Sequence, residues 1–216
     1  MGKKKQKAAR LAEAEHDLVG SVAKNAHETP VALVGGASEI ADQPPLVALS
    51  LATIAAGAVL RHRTIARTGA RMLVAHAIAT GAKSVFKHMV DRARPSRALQ
   101  DGKARVGSGR GSEDTDFNSF PSGHTAGAVS VAQAVAHTVP ALALPARSAA
   151  FAIAAVQLPR GAHYPSDVTV GAMLGWAADR IAGVVVDAAE QAADRVVALA
   201  RGAPTPSTKQ PAPHKS

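Results

Sequence analysis

The chain is 216 residues long, enough for one sizeable core and too short to argue for a second domain, and alanine supplies much of its 47% hydrophobic content. Its formal charge of +9 suits an anionic partner, but with four Phe, one Tyr and one Trp the basic clusters lack the interleaved aromatics that stack bases, so no nucleic-acid partner is expected. The absence of cysteine excludes disulfides, a cysteine nucleophile and thiolate metal sites.

Residues 1–29 read as a basic amphipathic segment. Lys3, Lys4, Lys5, Lys7 and Arg10 open it, and Leu11, Leu18 and Val22 recur at helical spacing between Gln6 and His27. Such a helix is expected on a surface, its lysines against anionic headgroups. Because no apolar core follows the basic start, a cleaved signal peptide is not expected.

Residues 30–201 form the expected helical bundle. Pro30 and the Pro44-Pro45 pair bracket Val31 to Ile40, which is too short to span a bilayer and predicts a short or re-entrant helix. Leu46 to Leu60 is uncharged and predicts a helix that stops at an arginine-rich loop, Arg61 to Arg71. Met72 to Phe86 is a second apolar helix interrupted by Lys83, and Lys87 to Phe120 reads as a loop. An uncharged run starts at Thr125, with Pro140 and Pro145 predicting a helix end near His137 and a new helix over Ser148 to Leu158. Val168 to Val186 completes the set, with Asp179 and Arg180 read as an interhelical or membrane-edge pair. The proline-rich tail, 202–216, is expected to be disordered. No repeat and no alternating strand pattern occurs, so the fold class is all-α. The apolar segments are rich in Ala and Val and fall short of the roughly 20 residues of a full span, yet membrane embedding is favoured over a soluble bundle.

Three clusters place ionisable groups at the ends of apolar helices. In the first, Pro95 forces Arg94 out of helical geometry while Lys87 extends from the helix end, so two cations converge from different directions, as a phosphoryl group requires. In the second, Ser122 is a plausible N-cap before Thr125, and Gly123 allows an anion to approach the free amides beside His124. In the third, His163 has Asp167 four residues on, a carboxylate that can fix the tautomer of a histidine nucleophile. Taken singly, each has a plainer account: a basic loop, a helix cap, a capped turn. His76 reads as a hydrogen-bonded interhelical residue, and His62, His88 and His137 have no metal-ligand spacing, so no metal and no cofactor are expected.

In order and spacing the three clusters together resemble the type 2 phosphatidic acid phosphatase superfamily, which includes lipid phosphate phosphatases, bacterial acid phosphatases and vanadium haloperoxidases. The resemblance covers roughly residues 45–187. It implies a metal-independent phosphatase acting on a lipid phosphate or prenyl diphosphate: His163 attacks phosphorus, Asp167 orients it, and His124 protonates the leaving oxygen. Lys87, Arg94, Ser122 and Gly123 hold the phosphate oxygens.

The sequence departs from the family's third motif, where Ser-Arg is replaced by Val156-Gln157, removing one phosphate cation. Gln157 can still hydrogen-bond a phosphate oxygen, and Arg160, within a helical turn, is the expected substitute for the missing arginine. The alternative is a catalytically weakened member that binds phosphorylated lipid without hydrolysing it; a haloperoxidase role is not favoured in a short, Ala-rich chain. Under the positive-inside rule the clusters Lys3–Arg10 and Arg61–Arg71 both face the cytoplasm, giving a multi-pass cell-membrane protein with its active site on the extracytoplasmic side.

Overall fold

The computed structural model describes residues 3–23, 29–102, 106–109 and 115–201; the side chains of residues 3–9, 29, 30, 32, 108 and 115 are left aside, and the expected disordered tail, 202–216, lies outside the described residues. The elements are α1 (Lys3–Val22), α2 (Thr29–Ala37), a 3-10 turn (Ser38–Ala41), α3 (Gln43–Val59), α4 (Arg63–Met89), β1 (Val90–Arg92), α5 (Pro95–Asp101), β2 (Val106–Ser108), a second 3-10 turn (Thr115–Phe117), α6 (Gly123–Thr138), a third 3-10 turn (Pro140–Leu142), α7 (Ala143–Val156) and α8 (Pro165–Ala200). The all-α reading holds, with a small antiparallel pair, β1 and β2, inside the segment expected to be a loop.

Five helices run back and forth: α3, α4, α6, α7 and α8, with α4 packed against α3, α6 and α8 and α6 against α7. Their core is made of small residues around Leu46, Met72 and Val131, including Ala128, Ala132, Ala134 and Ala150. Small residues let backbones approach where lipid-like apolar surroundings give no other driving force. At Gly175 of α8 a Cβ would lie 2.5 Å from the Ala126 carbonyl of α6, so only glycine permits that crossing.

The arginine-rich loop is a correction. Of that stretch only Arg61 and His62 lie in the turn, after Leu60, and α4 begins at Arg63. The helix persists because its arginines find carboxylates on α8: Arg67 pairs with Asp187 and Glu190, Arg63 with Asp194 at 3.4 Å, and Arg71 with Asp179 at 2.7 and 3.0 Å. His137 Nδ1 also lies 2.7 Å from Asp179. Asp179 is thus interhelical, as expected, but its partner is Arg71; Arg180 instead stacks over Trp176 at 5.7 Å. The same pairing carries α8 past the expected end at Val186 to Ala200. Helix α7 starts at Ala143, ahead of Ser148, because Pro145 is tolerated within a first turn that lacks intrahelical donors.

Helix α1 docks on the bundle. Glu15 and Val19 are buried, whereas Leu11 and Leu18 point outward, 60% and 50% exposed. Glu15 reaches Arg92 and Ser166, so α1 sits at the end where α4 finishes and α8 begins. The Arg61–Arg71 cluster lies at the opposite end, where α3 finishes and α4 begins. The buried Glu15–Arg92 ion pair fixes the middle of α1 there.

Among the described residues α8 is the one helix long and apolar enough, by length and composition, to cross a membrane, and only 33% of its apolar window is buried. Helix α3, 17 residues, extends about 25 Å at 1.5 Å per residue, a little under a bilayer core of about 30 Å. Large apolar side chains face outward along the bundle, among them Leu51, Leu144, Phe151, Met173 and Val184.

Candidate active site

The three clusters meet at one end of the bundle around a small polar cavity of about 110 Å³, lined by Lys83, Lys87, Arg94, Gly123, His124 and His163, with His76 below them and Ala41, Asp42 and Gln43 at one side. Lys87 comes from the last turn of α4. Arg94 is the N-cap of α5, extended at φ −62° and ψ 149° as the residue before Pro95 must be, and its amide donates to Asp116 O at 2.7 Å.

Ser122 caps α6 as expected. Its Oγ accepts from the Thr125 amide at 3.4 Å, and Ala126 N–H to Ser122 O opens the helical ladder, so the amides of Gly123 and His124 precede it. Ser122 itself is fully buried; Gly123 and His124 line the cavity. His124 Nε2 is a buried atom without a hydrogen-bond partner among the described residues, although Asp42 and Glu39 carboxylates lie 3.3 and 3.5 Å away.

His163 is held differently from expectation. Its Nδ1 lies 2.7 Å from the Ser119 carbonyl and 3.8 Å from Asp167 Oδ2. A carbonyl only accepts, so Nδ1 carries the proton and Nε2 keeps a lone pair. Asp167 acts at one remove: it is fully buried, accepts from Ser119 Oγ, from the Tyr164 amide at 2.8 Å and from Arg92 at 2.6 Å, and so fixes the segments on both sides of His163. Burial pushes the His163 pKa below its usual value; the Asp167 carboxylate opposes this and the Arg94 charge adds to it. The ring is therefore neutral near pH 7.

Sequence reasoning missed Ser119, Arg92 and Lys83. Ser119 and Arg92 carry no motif, since their roles depend on a parallel bridge that sets Arg92 beside Asn118 and on the Ser119 amide donating to Arg92 O at 3.0 Å. Arg92 is buried, stacks on the Tyr164 ring at 4.0 Å and also binds Glu15 at 2.8 Å. Lys83 was legible by spacing, one helical turn before Lys87. His76 is also a correction: among the described residues neither ring nitrogen has a hydrogen-bond partner, and the ring lines the cavity.

Gln157 and Arg160 are not brought into the cavity lining. The Gln157 side chain is fully buried and donates to Ile153 O at 3.0 Å and Ser38 Oγ at 3.4 Å; its backbone carbonyl accepts from the amides of Ala162 and His163. Arg160 donates to Ser38 Oγ at 2.9 Å and to Glu39 at 2.8 Å, and that bond holds the Glu39 carboxyl below its usual pKa. A guanidinium committed to a carboxylate is a poor substitute for a free phosphate cation. Glu39, Asp42 and His124 are the group among the described residues with metal-ligand proximity, their ligand atoms lying within 4.8 Å of one another.

The bundle thus gathers three histidines, two lysines and an arginine around one helix N-terminus, an arrangement suited to an anion. The family model described as "PAP2 superfamily" matches residues 68–189, more than half of the chain, and the chain belongs to that superfamily. Phosphatase is the class of activity this membership supports. No curated protein matches the chain. Among solved structures, that of Aquifex aeolicus LpxE is similar in fold, with a TM-score of 0.55 and 20% identity, covering 77% of this chain and 92% of that one. The family match begins at Thr68, so α1, α2 and the turn carrying Glu39 lie outside it.

Proposed function

We propose that the chain hydrolyses a lipid phosphate or prenyl diphosphate at a membrane through a phosphohistidine. The observation that carries this reading is the pair of ring nitrogens at one cavity: neutral His163, its Nδ1 proton given to Ser119 O, and His124 Nε2 with no hydrogen-bond partner. His163 Nε2 attacks phosphorus as the ester P–O bond breaks, and His124 delivers a proton to the leaving oxygen. Water then attacks the phosphohistidine, its proton passes to His124, and the P–N bond breaks to release phosphate and neutral His163. Asp167 and Ser119 hold the ring, and the charge that builds on the phosphoryl oxygens is met by Lys87, Arg94 and the amides at Gly123 and His124. The reading needs no metal ion.

The outward apolar side chains and α8 support a chain inserted in a bilayer with several crossing helices. The arginine turn between α3 and α4 is a short connection of the kind the positive-inside rule weighs most, and it favours the cytoplasm for that end and the extracytoplasmic side for the site. The test is phosphate release in detergent with EDTA from phosphatidate, a prenyl diphosphate and a soluble phosphomonoester. Activity in the wild type that is abolished in His163→Ala is the expected result. Equal inertness of both, with phosphorylated lipid still bound, sinks hydrolysis in favour of the binding-only alternative.

A further inference from the structure

The departure at Gln157 leaves the site one cation short of its family's pattern, and neither Gln157 nor Arg160 makes up the deficit. Lys83 stands where the charge is needed. It lies on the same face of α4 as Lys87, one turn and about 6 Å along the axis nearer the bundle interior, and both line the cavity with Arg94 and His163. A Cβ on Gly123 would lie 2.9 Å from Lys83 Cδ and 3.2 Å from its Nζ, so the lysine packs directly over the first turn of α6. The ammonium thus sits beside the helix amides that attract an anion, and glycine at 123 leaves it room.

Among the described residues Lys83 makes no hydrogen bond and no ion pair; the carboxylate whose charge reaches it is Asp42. Two partly buried ammonium groups and a guanidinium around one cavity repel one another and are poorly solvated, which is costly unless an anion enters. We propose that Lys83 supplies the third phosphate-binding cation of this site, in place of the arginine absent at Gln157, a proposal that rests on the phosphatase reading. Its ammonium contacts a phosphoryl oxygen on the side of the α6 N-terminus.

The probe is inorganic phosphate, titrated calorimetrically into the full chain in detergent and tested as an inhibitor of hydrolysis. Lys83→Met is expected to raise the phosphate Kd and inhibition constant at least about tenfold, the effect of losing one charge-assisted contact, with an undiminished melting temperature because an apolar side chain replaces a desolvated charge. Arg160→Met is expected to change either constant by less than about threefold. In the wild type, bound phosphate is expected to protect Lys83 from amine acylation as read by mass spectrometry, a measurement that requires no variant. Unchanged phosphate affinity in Lys83→Met, or acylation of Lys83 indifferent to phosphate, overturns the inference. Unchanged phosphate affinity in Lys83→Met beside hydrolysis that His163→Ala abolishes sinks Lys83 and spares the phosphatase reading; phosphate bound through Lys83 by a chain that hydrolyses no substrate does the reverse.

Discussion

Glu15 of α1 accepts a hydrogen bond from Arg92 at 2.8 Å, and the other end of the same guanidinium grips Asp167 at 2.6 Å, so the N-terminal helix is tied to the histidine loop through one arginine. Glu15 also accepts from the Ser166 amide at 2.7 Å, at the first turn of α8. These groups are all largely or fully buried. Removing Arg92 strands two carboxylates without their cation, which costs about 3 kcal/mol or more. Arg92→Ala is therefore expected to melt far below the wild type. Glu15→Ala leaves Arg92 its bond to Asp167 and is expected to lower kcat about tenfold with KM little changed, since the phosphate cations are untouched. Thermal unfolding and steady-state kinetics in detergent check both; a Glu15→Ala protein with wild-type kcat would mean that α1 merely covers the site.

The pH dependence follows from burial of His163. A pKa held below the usual 6.5 keeps the ring neutral, and so nucleophilic, as pH falls through the mid-sixes. Activity is lost only when pH drops through the lowered value and the ring takes a second proton. The acid limb of kcat/KM assigned to His163 is expected below pH 6.5. Asp167→Asn removes the carboxylate that opposes the shift, so its limb moves to lower pH while its plateau falls. The same shift makes folding less favourable in acid: the unfolded chain binds a proton at His163 near pH 6.5 and the folded chain does not, so stability declines as pH falls between the unfolded value and the folded one. A limb above 6.5 would mean that the ring is solvated or paired in the working enzyme.

How much of this was legible beforehand depended on whether the signal was local. Ser122 as an N-cap, Arg94 forced extended by Pro95, and the uncharged helices are short-range consequences of side-chain chemistry, and they read correctly from the chain. The partners of His163 and Arg92 did not, because Ser119 O and Glu15 are distant in sequence and a backbone carbonyl has no residue signature. Spacing alone also favoured a direct His163–Asp167 bond, whereas the capping geometry at Tyr164 turns that carboxylate toward the Tyr164 amide. Arg160 was attractive by proximity to Gln157, but its choice of Glu39 is a tertiary fact, decided by the 3-10 turn after α2. The arginines of α4 looked like a loop because their partners on α8 lie more than a hundred residues away.

At the far end of the bundle, Asp179 is fully buried between Arg71 and His137. Asp179→Asn keeps the shape and removes the charge, leaving Arg71 without a counterion in a site where its side chain is only 12% exposed. A loss of about 3 kcal/mol is expected, read as a lower denaturation midpoint. Phosphate affinity should stay within about twofold, since Asp179 lies twelve residues along α8 from Asp167, about 18 Å. A variant that lost phosphate binding while retaining its midpoint would instead show that the two polar layers are coupled.

The chain contains no cysteine, so single cysteines report its arrangement in a membrane without background. Leu18 on α1, within a turn of Glu15 and 50% exposed, and Leu99 on α5 belong to the site end, and Leu60, 66% exposed, belongs to the turn between α3 and α4 at the other. With several crossing helices and the arginine turn in the cytoplasm, Leu18→Cys and Leu99→Cys are expected to react with a membrane-impermeant maleimide on intact cells, and Leu60→Cys only after permeabilisation. Leu18 and Leu99 should respond together whichever side they face, because the Glu15–Arg92 pair holds this part of α1 at that end. The inverse pattern would put the site in the cytoplasm. Labelling of all three from one side would mean that the bundle lies on the bilayer without crossing it. Leu18 protected while Leu99 reacts would separate α1 from the site and remove the basis for the role given to Glu15.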